Sequence, residues 1–362
     1  MKTVCFISHS PPNQLGGVSI YYKNLLNYLK NKKLKITWAY FGKENKTYTS
    51  KKINYIEIKK SIFQVKGFEN NFKTRKFLKN NYFDTVFTTG GPWIWFYLKP
   101  INQKLMQIFH GTVYYFNKNH LKRFSTIKKV CFYPLLSLSK LFEYPHYDLD
   151  KIVCVSNKVK KQVEKLYGES KIKVIRTGVD LKEFKPRIKK DTNKKRVLGL
   201  YVGGGGYYTK GLDRAINISR EIYKLNPNYR LLVIGPDKTK VSKLINEKFV
   251  IFLKDIPRDQ MKYHYNAADV FFCMSRYEGG APTLVVSEAM ASRCLVVCSK
   301  DSKQEIIKEK VNGLIISKFN KHDAEKVLDN LKNKKIIRNS LKTIKNISLE
   351  NWGEEYLKLI NM

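Results

Sequence analysis

The chain has 362 residues, 43% of them hydrophobic and 13% aromatic, which is enough for two packed domains and too apolar for a disordered polymer. Lys and Arg number 69 against 30 Asp and Glu, a net charge of +39. Such a surface attracts nucleic acid or an anionic membrane, or else its lysines are simply solvated on helix faces. The lysines run through the whole chain instead of forming an arm, and there is no zinc finger, RNP-type aromatic signature or basic zipper, which argues against a dedicated nucleic-acid binder. No apolar stretch reaches the ~20 residues of a spanning helix, and the run Val4–Ile7 is too short for a signal peptide. The six cysteines form no CxxC pair, and Cys5, Cys154 and Cys273 lie in strand-like apolar runs. They read as small core residues in a reducing compartment. The expected location is the cytoplasm, free or peripheral on the inner face of the membrane.

In chain order, Thr3–Ser8 reads as a strand, Gly16-Gly17 as the turn after it, and Val18–Lys30 as a helix whose Val18, Tyr21, Tyr22, Leu25, Leu26 and Leu29 share one face. Ile36–Tyr40, Thr85–Thr88, Met106–His110, Lys151–Ser156 and Lys173–Ile175 read as further strands. Alternation of strands with amphipathic helices predicts a parallel sheet covered by helices. The alternation breaks at Lys182–Arg196, a basic, polar stretch with Pro186 that reads as a linker. A second series follows at Val197–Val202, Arg230–Ile234, Val250–Leu253, Val270–Cys273 and Leu295–Cys298. The chain end, Ser348–Met362, places Trp352, Tyr356, Leu357 and Ile360 on one helical face, so it should dock.

Ser275–Ser292 carries the strongest chemical signal. A glycine-rich loop opens it and helix formers close it, with Glu288 just inside. Backbone N–H groups at such a helix start attract phosphate, and a carboxylate slightly further on suits the hydroxyls of a ribose. The segment reads as a site for a nucleotide-linked ligand. Val202–Gly211, with Gly203 to Gly206 and Lys210, follows the first strand of the second half and resembles a phosphate cradle, although it lacks the Gly-Lys-Ser/Thr ending of a P-loop. The alternative is a plain glycine-rich surface loop. Gly16-Gly17 and His110 sit at strand ends, where either a ligand contact or an ordinary structural role is open. Asp148-Leu-Asp150 matches a DxD metal motif superficially, but it precedes a strand and reads as a surface turn; no other cluster has metal-ligand spacing. The aromatic segments Gly91–Leu98, Val113–Phe116 and Phe132–Tyr144, beside the basic Lys118–Lys129, fit either core packing or an anionic membrane surface.

The order of these motifs resembles the retaining glycosyltransferases of family 4. The strings that carry the likeness are Gly-Gly-Val after the first strand, Val155-Ser156, Val174–Asp180 with Phe184, Val202-Gly203 with Lys210-Gly211, Ala268-Asp269-Val-Phe-Phe, the glutamate-bearing loop, and Asn312-Gly313. The likeness spans nearly the whole chain. It implies an α/β GT-B fold, two Rossmann-like doubly wound domains facing across a cleft, with the C-terminal helix returning to the N-terminal domain. The expected domains are an acceptor-binding domain over 1–186, a nucleotide-sugar-binding domain over 187–345, and the returning helix over 346–362. It implies His110, Lys210 and Glu278 as catalytic residues. Donor contacts are implied for Gly16, Gly17, Gly203, Gly204, Lys210, Ile256, Gly280, Ala281, Thr283, Leu284 and Glu288. The implied reaction is transfer of a hexose from a UDP- or GDP-linked sugar to a hydroxyl of a lipid-linked or glycan acceptor, with retention and without a metal. The nucleotide-sugar serves as co-substrate and no cofactor is expected.

Three departures stand out. Gly204 replaces the arginine usual in the family, Thr177 replaces an asparagine, and Glu278 lies two residues too early for the family's glutamate spacing, where Gly280 stands. They keep open a relative that binds nucleotide or glycan without turnover. The charge keeps open a transferase acting on nucleic acid.

Overall fold

The computed structural model describes residues 1–14, 16–60, 68–89, 97–122, 126–141, 144–146, 148–168, 171–187, 196–203, 206–235, 241–279, 282–302 and 304–362. Gly204, Gly280, Ala281, the linker residues 188–195 and the aromatic stretch 91–96 lie outside them. The chain divides into two compact units, Met1–Arg176 with Trp352–Met362, and Thr177–Asn351.

In the first unit the elements run β1 (Lys2–Ser8), α1 (Gly17–Leu29), β2 (Leu34–Gly42), β3 (Lys46–Ser50), β4 (Ile53–Lys59), α2 (Phe68–Asn80), β5 (Thr85–Thr89), β6 (Lys104–Phe109), α3 (Val113–Leu121), α4 (Thr126–Leu141), β7 (Lys151–Cys154), α5 (Asn157–Tyr167) and β8 (Ile172–Val174). Among the described residues the strands order as β3-β4-β2-β1-β5-β6-β7-β8. All neighbours are parallel except β3 on β4. Strand β1 is central and reads as an almost unbroken apolar run, with Val4, Cys5, Phe6 and Ile7 buried, as a parallel strand covered on both faces must. Asp148-Leu-Asp150 is a clamp at the start of β6 and β7: Asp150 Oδ2 accepts from Leu105 N at 2.7 Å and from Lys99 Nζ at 2.8 Å.

In the second unit come β9 (Val197–Val202), α6 (Tyr207–Lys210), α7 (Leu212–Leu225), β10 (Tyr229–Gly235), α8 (Ser242–Ile245), β11 (Val250–Lys254), α9 (Met261–Ala267), β12 (Val270–Cys273), α10 (Leu284–Ala291), β13 (Leu295–Ser299), β14 (Leu314–Ile316), α11 (Lys321–Asn330) and α12 (Lys334–Lys345). Its all-parallel sheet has the order β11-β10-β9-β12-β13-β14, the 3-2-1-4-5-6 winding of a dinucleotide-binding fold. Alternate residues face opposite layers. Tyr201, Leu231, Val233, Val270, Phe272, Leu295 and Val297 pack with α7, α11 and α12. Leu200, Leu232, Ile234, Phe271, Cys273, Val296 and Cys298 pack with α9 and α10. The period of two across strands covered on both faces sets the register. Cys5, Cys154, Cys273, Cys294 and Cys298 are buried free thiols, as their apolar settings predict.

The segment after Arg176 belongs to the second unit, so the division falls ahead of the 186/187 boundary expected from composition. Phe184 packs edge-on against Tyr265 at 5.8 Å, Arg187 N donates to Asn266 Oδ1 at 2.6 Å, and Val179 N donates to Ile347 O at 3.1 Å. Helix α13 (Leu349–Asn361) begins in the second unit, with Leu349 N donating to Val179 O, and from Trp352 onward it belongs to the first. Trp352 meets Tyr21 at 4.7 Å, Tyr356 meets Phe87 at 5.5 Å, and the Tyr21 and Tyr356 hydroxyls bond to each other. At Gly353 a Cβ would lie 2.1 Å from the Tyr28 ring, so only glycine fits there.

Candidate functional site

The winding of the second sheet reverses between β9 and β12, and in such sheets ligands sit beyond the carboxyl ends of the strands at that point. Two of the residues singled out from sequence meet there. Strand β9 is followed by Gly203, whose N–H donates to Ile234 O at 3.0 Å. The chain resumes at Gly206 (φ +85°), forms the single turn α6, and leaves it through Gly211 (φ +72°). A Cβ on Gly211 would stand 2.0 Å from Met274 O; the left-handed φ and this contact both exclude a side chain. The close approach brings α6 against the loop that leaves β12.

Lys210 ends α6 and Glu278 lies in that loop. Lys210 Nζ donates to both Glu278 oxygens at 2.8 Å, and Ser275 Oγ donates to Glu278 Oε1 at 2.5 Å. Ser299 Oγ holds the Ser275 carbonyl at 2.7 Å. Glu278 is buried. Burial opposes the charge on Lys210, but the Glu278 carboxylate outweighs it and raises the ammonium pKa above its ordinary value. The site therefore presents a permanent cation at the end of a glycine-rich turn. Its carboxylate partner is fixed by a second bond. For all its irregular spacing, Glu278 is the carboxylate that Lys210 holds.

Glu288 lies one turn inside α10 and is fully buried. Arg258, in a short 3-10 turn (Arg258–Gln260) after β11, donates to Glu288 Oε1 at 2.5 Å and lies 4.9 Å from the Phe184 ring. Glu288 Oε2 has no hydrogen-bond partner among the described residues, and neither do Tyr265 Oη, Thr283 Oγ1 and Ser287 Oγ. Buried acceptors and hydroxyls are normally satisfied, so Glu288 Oε2 stands out as a buried carboxylate oxygen with no partner among the described residues. Thr283 begins α10 without a side-chain cap bond, and its N–H donates to Gln304 Oε1 at 3.1 Å. Leu284 is the first residue of that helix, and Ile256 lies between β11 and the Arg258 turn.

The sequence reading missed Arg258, Ser275 and Gln304. A hydrogen bond between Arg258 and Glu288 across 30 positions leaves no local signal, whereas Ser275 stood in the quoted loop with nothing to mark its hydroxyl.

Gly16, Gly17 and His110 belong to the first unit. Gly16 is extended (φ −179°) at the start of α1. A Cβ on either glycine would meet nothing within 4 Å among the described residues. Neither glycine is required by the chain's own packing, in contrast to Gly211. His110 follows β6 with its ring edge-on to Tyr21 at 4.5 Å. Its Nε2 is buried with no hydrogen-bond partner among the described residues, and burial pushes its pKa down to about 4. At neutral pH it is an uncharged imidazole. Among the described residues no group of three His, Cys, Asp or Glu has the geometry to hold a metal ion.

Residues 182–347 match the model of the glycosyl transferases group 1, and residues 15–183 match that of glycosyltransferase family 4. Together these cover both Rossmann-like units, and the chain belongs to this glycosyltransferase family, with the GT-B fold. YtcC of Bacillus subtilis strain 168, a glycosyltransferase by name, is 25% identical over 199 residues, which are 48% of this chain and 49% of that protein. The match thus spans about half the length of the curated relative. Sucrose-phosphate synthase of Thermosynechococcus elongatus superposes with a TM-score of 0.78 at 16% identity, covering 100% of this chain and 98% of that one. HepE of Anabaena, in complex with UDP and glucose, superposes with a TM-score of 0.67 at 14% identity, covering 100% of both. At these identities the structural likeness establishes the fold.

Proposed function

We propose that the chain transfers a hexose from a UDP- or GDP-linked sugar to a hydroxyl of a lipid-linked or glycan acceptor, with retention of anomeric configuration and without a metal. The observation that carries the reading is the Lys210–Glu278 pair at the winding reversal of the second sheet. As the sugar–diphosphate bond loosens, negative charge grows on the departing phosphate. Lys210 meets that charge, with amides of the turn from Gly203 to Gly206 assisting, Gly204 among them. The departing phosphate takes the proton of the acceptor hydroxyl, so no side chain acts as nucleophile. Glu278, released in part from Lys210 when the diphosphate arrives, faces the transferred sugar. Glu288 Oε2 is the acceptor for a ribose hydroxyl, because Oε1 is already committed to Arg258.

Thr283, Leu284, Ile256, Gly280 and Ala281 complete the donor contacts. Gly16 and Gly17 carry their donor roles, and His110 its catalytic role, from the family resemblance; the open space at both glycines supports the former. A neutral His110 hydrogen-bonds the sugar without adding charge.

The aromatic and basic stretch supports an acceptor presented on an anionic membrane. Val113, Phe116, Phe132, Tyr133 and Leu138 on α3 and α4 are exposed, with Lys118 exposed on α3 and Lys122 just after it. Co-sedimentation with vesicles containing anionic lipid, against neutral vesicles, tests this part separately.

Transfer of labelled sugar from a panel of UDP- and GDP-sugars onto a lipid and glycan extract tests the reaction. One donor is expected to give product at undiminished rate in EDTA. A folded sample that turns over none of them sinks the reading.

A further inference from the structure

The loop that places Glu278 carries one residue reaching α6 by three separate contacts and the first turn of α7 by a paired one. Arg276 N donates to Thr209 O at 2.8 Å. Its Nη1 donates to Tyr208 O at 2.7 Å, and its guanidinium carbon lies 3.9 Å from the centre of the Tyr208 ring. Nη1 and Nη2 reach the two oxygens of Asp213, in the first turn of α7, at 2.7 and 2.5 Å. Tyr208 and Thr209 immediately precede Lys210, and Arg276 stands between Ser275 and Glu278. Arg276 therefore fixes the backbone under Lys210 to the backbone under Glu278.

Such fixing is needed. The Lys210–Glu278 bond sets only the tip of a flexible four-carbon stem, whereas a planar guanidinium paired on both sides and stacked on a ring sets a position and an orientation. Residue 204 is a glycine, so on the proposed reading Lys210 is the side-chain cation assigned to the leaving group, and its placement decides how much charge it stabilises. The Arg276 charge is already taken up by Asp213, so Arg276 does not replace the missing cation.

We propose that Arg276, locked by Asp213, is a positioning residue for the leaving-group site: it sets Lys210 where the second phosphate of the donor lies and does not touch the donor itself. This rests on the reading of Lys210 as the diphosphate partner.

The test measures the affinity of the full chain for UDP and UMP, with GDP and GMP in parallel, by calorimetry. In Arg276→Gln, diphosphate affinity should fall about tenfold while monophosphate affinity stays within about twofold, because the clamp acts where the second phosphate sits. Asp213→Asn should give the same selective loss, and the double variant no more than either alone, since both remove one unit. Arg276→Lys should not rescue the loss. Equal weakening of diphosphate and monophosphate in variants whose thermal unfolding shows them folded would mean a merely structural role and would overturn the proposal. So would a wild-type profile in Arg276→Lys. Wild-type protein that binds neither UDP nor GDP more tightly than its monophosphate would instead remove the donor reading, and this inference with it.

Discussion

Lys210 Nζ lies 2.8 Å from each oxygen of Glu278, although the two residues stand 68 positions apart, one ending α6 and the other in the loop after β12. Each partner supplies what the other lacks. The carboxylate keeps the ammonium charged despite burial, and the ammonium lets a carboxylate sit buried beside Ser275. On the proposed reading, an incoming diphosphate would compete with Glu278 for the same cation.

Lys210→Ala should lower kcat by about 10²–10³-fold, the usual cost of removing one charge-stabilising donor. Glu278→Gln should also lower kcat, yet leave UDP or GDP affinity equal or tighter, because the competing carboxylate is gone. Steady-state kinetics beside calorimetry separates the two signs.

Gly211→Ala should destabilise the second unit by at least ~1–3 kcal/mol, because a side chain there is strained in φ and meets Met274 O. Gly16→Ala and Gly17→Ala should leave stability within ~1 kcal/mol of wild type, or raise it, while turnover falls. Urea midpoints beside activity read both; loss of stability at Gly16 or Gly17 would remove the argument that the ligand, not the chain, requires these glycines.

His110 has a folded pKa of about 4 against an ordinary 6.5. Between those values the unfolded chain binds more protons than the folded one. Stability therefore rises with pH across the window and is lost as pH falls from about 6.5 toward 4, by up to ~3 kcal/mol. Urea unfolding at pH 7 and pH 5 should show this loss in wild type and less of it in His110→Gln.

Arg258→Met should cost ~3–5 kcal/mol, because it strands a fully buried Glu288 carboxylate without its ion partner. Arg258→Met with Glu288→Gln should recover part of that loss. Chemical unfolding of the four proteins in this cycle measures the coupling.

Much of the fold was legible because both sheets, β3 on β4 apart, are parallel and covered on both faces, so their strands appear as apolar runs at regular spacing. Strands β3 and β4 escaped because the turn joining them uses Lys51 and Lys52 at φ +49° and +66°, positions where glycine or asparagine would have marked the turn. Strand β14 is three residues long, Leu314–Ile316, too short for a period to show. The boundary near residue 177 was hidden because the stretch that looks like a linker, from Lys182, contains Phe184 and Arg187, which fasten to Tyr265 and Asn266 of the second unit. In the candidate site, Lys210 and Glu278 were visible from the glycines beside them. Arg258 and the Arg276–Asp213 pair were not, since each depends on segments joined only by folding.

The most direct measurement is a crystal structure of the chain with UDP, and a second with GDP. The account predicts the diphosphate of one of them within hydrogen-bonding distance of Lys210 Nζ, with its ribose at Glu288 Oε2. A nucleotide bound with its phosphates away from Lys210 would contradict it.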